Sequence, residues 1–79
     1  MIQERLIKMI TAEVSLDPHA EIVAGTDLLL TGLVDSLGVV QIVGWIEDEL
    51  DIDVDPLDVV LENFQTVGQM LAYIERQQS

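Results

Sequence analysis

The sequence predicts an all-α protein, a bundle of three main helices and one short helix, with a long loop between the first two main helices. Three observations lead to this prediction. Apolar residues recur three and four positions apart in three stretches, as one face of a helix requires. Glycine and proline cluster between those stretches. The 79 residues are enough for one domain over residues 1–79, and too few for two separate cores.

The first main helix is predicted from Ile2 to Val14. Apolar side chains fall on one face of this segment, at spacings of three and four. They are Ile2, Leu6, Met9, Ile10 and Val14. This face is the first candidate for the core.

Residues 15–35 are predicted to form one long structured loop. They contain Pro18, Gly25 and Gly32, which oppose a long regular element. A loop of this length is uncommon in a compact domain and is usually functional or disordered. Its most apolar positions are Leu28, Leu29, Leu30, Leu33 and Val34. Because so many apolar side chains are costly to leave in water, we expect this loop to pack on the bundle.

The second main helix is predicted from Ser36 to Leu50, with the side chain of Asp35 or of Ser36 as its N-cap. Its apolar repeat consists of Val39, Val40, Val43, Ile46 and Leu50. Gly38 and Gly44 each cost this helix about 1 kcal/mol relative to alanine. Each glycine therefore marks either a close approach by another element or a position where the loss is tolerated.

In the last third of the chain, the residue pattern predicts a short helix and then a third main helix. Pro56 suits the first turn of the short helix, which we expect to end near Leu61. Residues 51–55 alternate acidic and apolar side chains, but their charge and the following proline favour a connector over a strand. Thr66 is a suitable N-cap for the last helix. The apolar face of that helix is formed by Val67, Met70, Leu71 and Ile74.

The charge balance excludes several classes of function. Fifteen acidic and three basic residues give a formal charge of −12, which repels nucleic-acid phosphates and anionic lipids and attracts basic proteins.

No apolar run approaches the roughly 20 residues of a membrane span, and no signal-peptide pattern opens the chain. The absence of cysteine excludes disulfides, thiolate catalysis and cysteine-based zinc sites. We expect a cytoplasmic protein that binds neither nucleic acid nor membranes.

Ser36 is the strongest candidate for a chemical role. It lies where the long loop meets the second helix, so its hydroxyl can face solvent while the helix N-terminus favours a nearby phosphate. The surrounding sequence from Gly32 to Leu37 resembles the phosphopantetheine attachment motif of the acyl carrier protein family, whose core is Asp-Ser-Leu at the head of its second helix. Further likeness lies in the acidic residues 47–49, the connector 51–56 and residues 62–67.

The resemblance implies that a phosphopantetheinyl transferase attaches 4'-phosphopantetheine to Ser36, and that the thiol of this arm holds cargo as a thioester. It implies a role for Asp35 in recognition of the serine by the transferase, and an apolar contact at Leu37. The other partners that it implies are an acyl or aminoacyl ligase or adenylation enzyme, and an acyltransferase or synthase. The chain itself is expected to be a monomer without catalytic activity.

By the same resemblance, the second helix is the main docking face. The residues that we expect to contact partners are Leu37, Gln41, Gly44, Glu47 and Asp48. Carriers of fatty-acid synthesis usually have acidic residues along the exposed side of this helix after Asp-Ser-Leu, whereas Gly38 and Gln41 are neutral. This difference favours a type II polyketide or nonribosomal-peptide pathway, with fatty-acid synthesis as the alternative.

Two other classes of function compete with this interpretation. A hydrolase would need glycine in place of Val34 for a nucleophile elbow, and His19 is the only candidate base. A calcium loop matches Asp51, Asp53, Asp55 and Glu62 at positions 1, 3, 5 and 12 of an EF-hand, but Pro56 occupies the sixth position, where glycine makes the turn. We expect no dedicated metal site, although the three aspartates could bind a divalent cation weakly.

A third alternative is a helical module that only binds other proteins. Trp45 bears on it, because it falls about 100° from Ile46 around the helix and is expected to be partly exposed. Tryptophan is enriched at the energetic centres of interfaces. We favour the simpler interpretation that Trp45 covers the edge of the core.

Overall fold

The computed structural model describes residues 2–78, and every regular element within them is helical. The α-helices are α1 (Ile2–Met9), α2 (Ser36–Leu50), α3 (Leu61–Phe64) and α4 (Val67–Gln78). A π-helical turn, Ile10–Val14, continues α1, and a 3-10 turn, Pro56–Asp58, precedes α3. The predicted all-α bundle, with three main helices, a short one and a long first loop, is confirmed.

The first helix reaches Val14 as predicted, but its second half is wound more widely than an α-helix. In the π-helical turn the backbone N–H of Ser15 donates to the carbonyl of Ile10, five residues earlier, at 2.7 Å. Four of the five predicted apolar positions are buried, and they are Leu6, Met9, Ile10 and Val14. The helical face therefore stays continuous across the change of winding.

The second helix begins and ends at the predicted residues, Ser36 and Leu50. Asp35 is its N-cap, because the Asp35 Oδ1 accepts a hydrogen bond from the backbone N–H of Gly38 at 2.8 Å. At the other end Asp51 has a left-handed conformation with φ 54°, which stops the helix. The cap is thus Asp35 and not Ser36, which leaves the Ser36 side chain out of the capping interaction.

The two glycines of α2 differ in whether packing requires them. Gly38 is buried, and a Cβ built on it would lie 2.8 Å from the Cγ1 atoms of both Val14 and Val34. A Cβ on Gly44 would have no such neighbour within 4 Å. Gly38 therefore allows the end of the first helix and the loop to approach α2 closely. At Gly44 no close approach requires glycine, so its cost in helix propensity is tolerated.

The long loop packs on the bundle, although not with all of its leucines. Leu28 and Val34 are in the core, and the backbone N–H of Val34 donates to the carbonyl of Leu28 at 2.9 Å. Leu29 and Leu33 are half-buried. Leu30 remains 72% exposed, so the prediction was wrong at this position. Three consecutive leucines cannot all point inward from one turn of chain.

The predicted single helix from Pro56 to Leu61 is wrong in detail. The 3-10 turn ends at Asp58, and Val60 is extended, with φ −129° and ψ 161°, before α3 begins at Leu61. Two adjacent β-branched residues at 59 and 60 weaken helical continuation. The interruption starts a second turn that places Phe64 in the core, where it is 1% exposed.

The last helix is capped reciprocally. The hydroxyl of Thr66 accepts a hydrogen bond from the backbone N–H of Gln69 at 3.1 Å, and the Gln69 side chain accepts one from the N–H of Thr66 at 3.2 Å. Three of the four predicted apolar residues are buried, and they are Val67, Met70 and Ile74. The predicted N-cap at Thr66 is confirmed.

Within residues 2–78 the structure contains no helix that combines the length and the apolar character needed to cross a membrane.

Candidate functional site

Ser36 is the first residue of α2, and its side chain is exposed. Asp35 precedes it in an extended conformation, with φ −96° and ψ −175°. The Asp35 carboxylate accepts a hydrogen bond from the backbone N–H of Gly38. Leu37 follows with 68% of its surface exposed. The structure thus presents a hydroxyl at a helix N-terminus, where backbone N–H groups and the helix dipole favour an anion.

Hydrogen bonds attach the loop before Ser36 to the segment between α3 and α4. The backbone N–H of Leu28 donates to the carbonyl of Gln65 at 2.8 Å, and the Gln65 side-chain amide donates to Asp27 Oδ2 at 3.0 Å. The Gln65 amide, followed by the backbone N–H of Leu30, lowers the pKa of Asp27 below 3.8. The loop is therefore attached at Asp27 and Leu28 to the segment between α3 and α4.

An apolar groove of about 290 Å³ opens beside Ser36. We call it the serine groove, and its lining residues are Leu29, Ser36, Val39, Val40, Val59, Val60, Leu61 and Phe64. Phe64 is buried, whereas Val40 is 65% exposed and Val60 is 44% exposed. The groove thus has a buried aromatic residue and apolar rims open to solvent on α2 and on residues 59–61.

The sequence-based prediction missed most of this groove. Val40 belongs to the predicted apolar repeat of α2, but its side chain faces the groove and solvent and not the core. Val39 and Val40 lie about 100° apart around the helix, so both cannot face the core fully. The sequence does contain a signal for the rim at residues 59–61, because three consecutive apolar residues stand there beside acidic ones. Only the folded chain brings this segment next to Ser36.

The predicted docking residues share one side of α2. At about 100° per residue, Ser36, Leu37, Gln41, Gly44, Glu47 and Asp48 fall within about 140° of one another around the helix. All are exposed except Gly44, which is half-buried. Glu47 is also engaged, because its Oε2 accepts a hydrogen bond from the backbone N–H of Val54 at 3.2 Å. The buried residues of α2, Gly38, Ile42 and Ile46, lie on the other side.

Trp45 lies on a different surface from the serine groove. It is nine residues after Ser36, which corresponds to about 180° around α2. Its side chain is half-buried against the core, and the guanidinium of Arg5 lies 5.5 Å from the ring centroid. Arg5 also forms an ion pair with Glu49 at 3.1 Å. These contacts agree with the interpretation that Trp45 covers the edge of the core.

The residues on which the calcium-binding and hydrolase alternatives rest form no site of either kind within residues 2–78. Asp51 ends α2, and the Asp55 carboxylate caps the 3-10 turn by accepting from the backbone N–H of Leu57 at 2.9 Å. Among residues 2–78, no three histidine or acidic side chains are grouped so that they could hold a metal ion. His19 is exposed in the loop, where its backbone N–H donates to Asp17 at 2.9 Å.

A buried tyrosine is attached to the segment that forms one rim of the serine groove. Tyr73 of α4 is 2% exposed, and its hydroxyl donates to Asp58 Oδ2 at 2.8 Å. Burial raises the pKa of Tyr73 from 10.0 to about 12, with further contributions from the hydrogen bond to Asp58 and from its charge. The tyrosine therefore stays protonated in the folded chain at a pH where it would ionise in the unfolded chain.

This difference predicts a pH dependence of stability. The unfolded tyrosine releases its proton near pH 10, whereas the folded one keeps it to about pH 12, so its contribution is complete below pH 10 and lost as the pH rises through 12. Relative to Tyr73→Phe, we expect the wild-type free energy of unfolding to fall by roughly 2 kcal/mol over this interval. Urea unfolding of both proteins at a series of pH values measures the difference. A constant difference would contradict the prediction.

Comparison with known proteins identifies the fold. One chain of a structure described as "Crystal structure of FAD-dependent dehydrogenase" superimposes with a TM-score of 0.70 at 24% sequence identity, over 91% of this chain and 97% of that one. At this identity the likeness establishes the fold alone. The curated proteins contain no match to the chain.

A family model identifies the kind of protein. The model described as "Phosphopantetheine attachment site" matches residues 4–74, nearly the whole chain. Members of this family carry 4'-phosphopantetheine covalently on a serine and are not enzymes themselves. The chain therefore belongs to the phosphopantetheine attachment site family of acyl and peptidyl carrier proteins.

Proposed function

We propose that Ser36 carries the 4'-phosphopantetheine arm and that this chain delivers acyl or aminoacyl groups in a type II polyketide or nonribosomal-peptide pathway. As a carrier, the chain works with a phosphopantetheinyl transferase and with synthases or ligases. The arm supplies a terminal thiol that holds the cargo as a thioester. The observation that supports the assignment to Ser36 is its exposed hydroxyl at the first position of α2, directly after the cap.

Ser36 fits the modification better than Ser15, the other serine within residues 2–78. The Ser15 hydroxyl donates to the carbonyl of Asp17 at 2.9 Å and accepts from its backbone N–H at 3.3 Å. A phosphoryl group on Ser15 would break this local turn. Ser36 is not the cap of α2, so its hydroxyl can be esterified without loss of the helix start. Ser79 lies outside the described residues.

The residues around Ser36 also fit a phosphate and a flexible arm. The backbone N–H groups at the start of α2 are the ones that an α-helix leaves without an intrahelical acceptor, and Asp35 uses only that of Gly38. The N–H groups of Ser36 and Leu37 can therefore face a phosphate. Beside them the serine groove offers apolar contacts at Val40 and Leu61. The chain thus holds the phosphate end and leaves the thiol end mobile.

Modification by a transferase tests the assignment. We expect the purified chain, incubated with coenzyme A and a broad-specificity phosphopantetheinyl transferase, to gain the mass of one phosphopantetheinyl group. Fragmentation of the modified chain is expected to place the group on Ser36. No mass gain in a protein shown to be folded by circular dichroism, or a group located on Ser15, would contradict the proposal.

The exposed side of α2 supports the assignment to specialised metabolism. Near Ser36 this side presents Leu37 and Val40, which are 68% and 65% exposed, together with the neutral Gln41. A partner that recognises carboxylates at these positions finds none, whereas an apolar partner surface can bury both side chains. Fatty-acid synthesis remains the second candidate, because Glu47 and Asp48 provide exposed carboxylates further along the same side.

The choice of pathway can be tested with a fatty-acid malonyltransferase. We expect the phosphopantetheinylated chain to be a poor substrate, and Gln41→Glu to improve it severalfold, because the change adds a carboxylate to the docking side. Gln77→Glu on α4 is the matched control, since it adds the same charge at an exposed position outside α2. Efficient transfer to the wild type would favour fatty-acid synthesis instead.

A further inference from the structure

The rim of the serine groove on residues 59–61 belongs to a segment with little attachment to the core. Within residues 55–63 no residue is buried, and Leu57 is 85% exposed. Segments with few buried apolar contacts open at low free-energy cost. The position of this rim therefore depends on hydrogen bonds more than on packing.

Side chains of α4 supply such hydrogen bonds. Tyr73 donates to the carboxylate of Asp58 at 2.8 Å, and Arg76 donates to Asn63 Oδ1 at 3.1 Å. The Asn63 amide in turn donates to the carbonyl of Asp58 at 2.9 Å. Asp58 thus accepts two hydrogen bonds from side chains immediately before the rim residues, one from α4 and one from α3, and its carbonyl also accepts one from the backbone N–H of Val60 at 2.9 Å.

The tyrosine is a rigid support for this arrangement. Tyr73 is 2% exposed, and its ring lies 5.9 Å from the ring of Phe64, centroid to centroid. Phe64 also lines the serine groove. Because the ring is fixed by the core, the hydroxyl holds Asp58 at a defined place, and the charge on the acceptor strengthens the bond.

We propose that Tyr73 is a positioning residue, whose hydroxyl acts through Asp58 to hold Val59, Val60 and Leu61 beside Ser36 in the arrangement that modifying enzymes bind. This inference rests on the proposed function of Ser36. Without the hydroxyl the rim opens more often, and an enzyme that binds the closed arrangement sees a smaller fraction of competent molecules. The loss affects binding and leaves the reacting hydroxyl unchanged.

Hydrogen exchange tests the structural part of the inference. In Tyr73→Phe we expect amides of residues 57–63 to exchange about tenfold faster, while the most protected amides of α2 change much less. Asp58→Ala should have a similar local effect, and the double variant should exchange no faster than either single one, because all three lack the same bond. Additive effects of the two changes, or equal acceleration throughout the chain, would overturn the inference.

Transferase kinetics test its functional part. For Tyr73→Phe we expect the KM for the carrier to rise about two- to threefold at unchanged kcat. Ile74→Val is the matched control, because it lowers global stability from the adjacent core position without touching the hydroxyl, and its KM should stay at the wild-type value. An unchanged KM in Tyr73→Phe, or an equal rise in Ile74→Val, would overturn the inference.

Failure of the proposed function and failure of the positioning role give different results. If the wild-type chain accepts no phosphopantetheine at Ser36, the proposed function fails, and the exchange rates still decide whether Tyr73 holds the rim. If the wild type is modified but Tyr73→Phe behaves like the wild type in either measurement, the positioning role alone fails.

Discussion

Ser36→Ala is expected to abolish phosphopantetheinylation and to leave the protein folded. The change removes the oxygen that would form the phosphodiester, so loading should fall to the detection limit of intact-protein mass spectrometry. The fold should tolerate it, because Asp35 and not Ser36 supplies the cap of α2. We expect the free energy of unfolding to change by less than about 0.5 kcal/mol, as for an exposed position outside a cap.

Ser15→Ala is the matched control for this experiment. It removes a hydroxyl from the other serine within residues 2–78 and breaks a local turn at Asp17, yet it should gain one phosphopantetheinyl group like the wild type. Modification of the Ser36→Ala protein would show that another side chain is the attachment site. Loss of folding in that variant, measured by circular dichroism, would contradict the role assigned to Asp35.

The same substitution at the two glycines of α2 is expected to have opposite effects on stability. Gly38→Ala places a methyl group 2.8 Å from the Cγ1 atoms of Val14 and Val34. Valine side chains have few alternative rotamers in such a position, so the backbone of the loop or of the first helix must move. We expect a net loss of about 1–2 kcal/mol, after a gain of about 1 kcal/mol in helix propensity.

Gly44→Ala provides the control for helix propensity. Its methyl group meets no atom within 4 Å outside its own helix and its chain neighbours, so the gain of about 1 kcal/mol should be realised in full. Urea unfolding of both variants and the wild type measures the two changes. Stabilisation by Gly38→Ala would show that the first helix and the loop can move away from α2 at little cost.

Features with local causes could be predicted from the sequence. The bounds of α2 follow from an apolar repeat, a capping side chain at Asp35 or Ser36 and an acidic connector after Leu50, all of which lie within or beside the helix itself. The cap of α4 at Thr66 follows in the same way. Ser36 could also be singled out, because its position at a helix start and the residues around it are visible without coordinates.

The features that went wrong depend on how each segment is oriented in the folded bundle. Val40 and Leu30 are apolar residues beside buried neighbours, and only the direction of each side chain in the folded bundle decides which of them reaches the core. The predicted short helix is interrupted at Val60, and the helix that follows, α3, places Phe64 in the core.

The local pattern of side chains was thus sufficient for the three main helices, the cap of α4 and the candidate serine, since each depends on residues a few positions apart. The serine groove and its support by Tyr73 required the tertiary structure. Asp58 and Tyr73 are 15 residues apart, and Asp27 and Gln65 are 38 apart. Helical periodicity tells which face of a segment is apolar, but it does not tell which segments meet, because that is decided by the packing of all of them together.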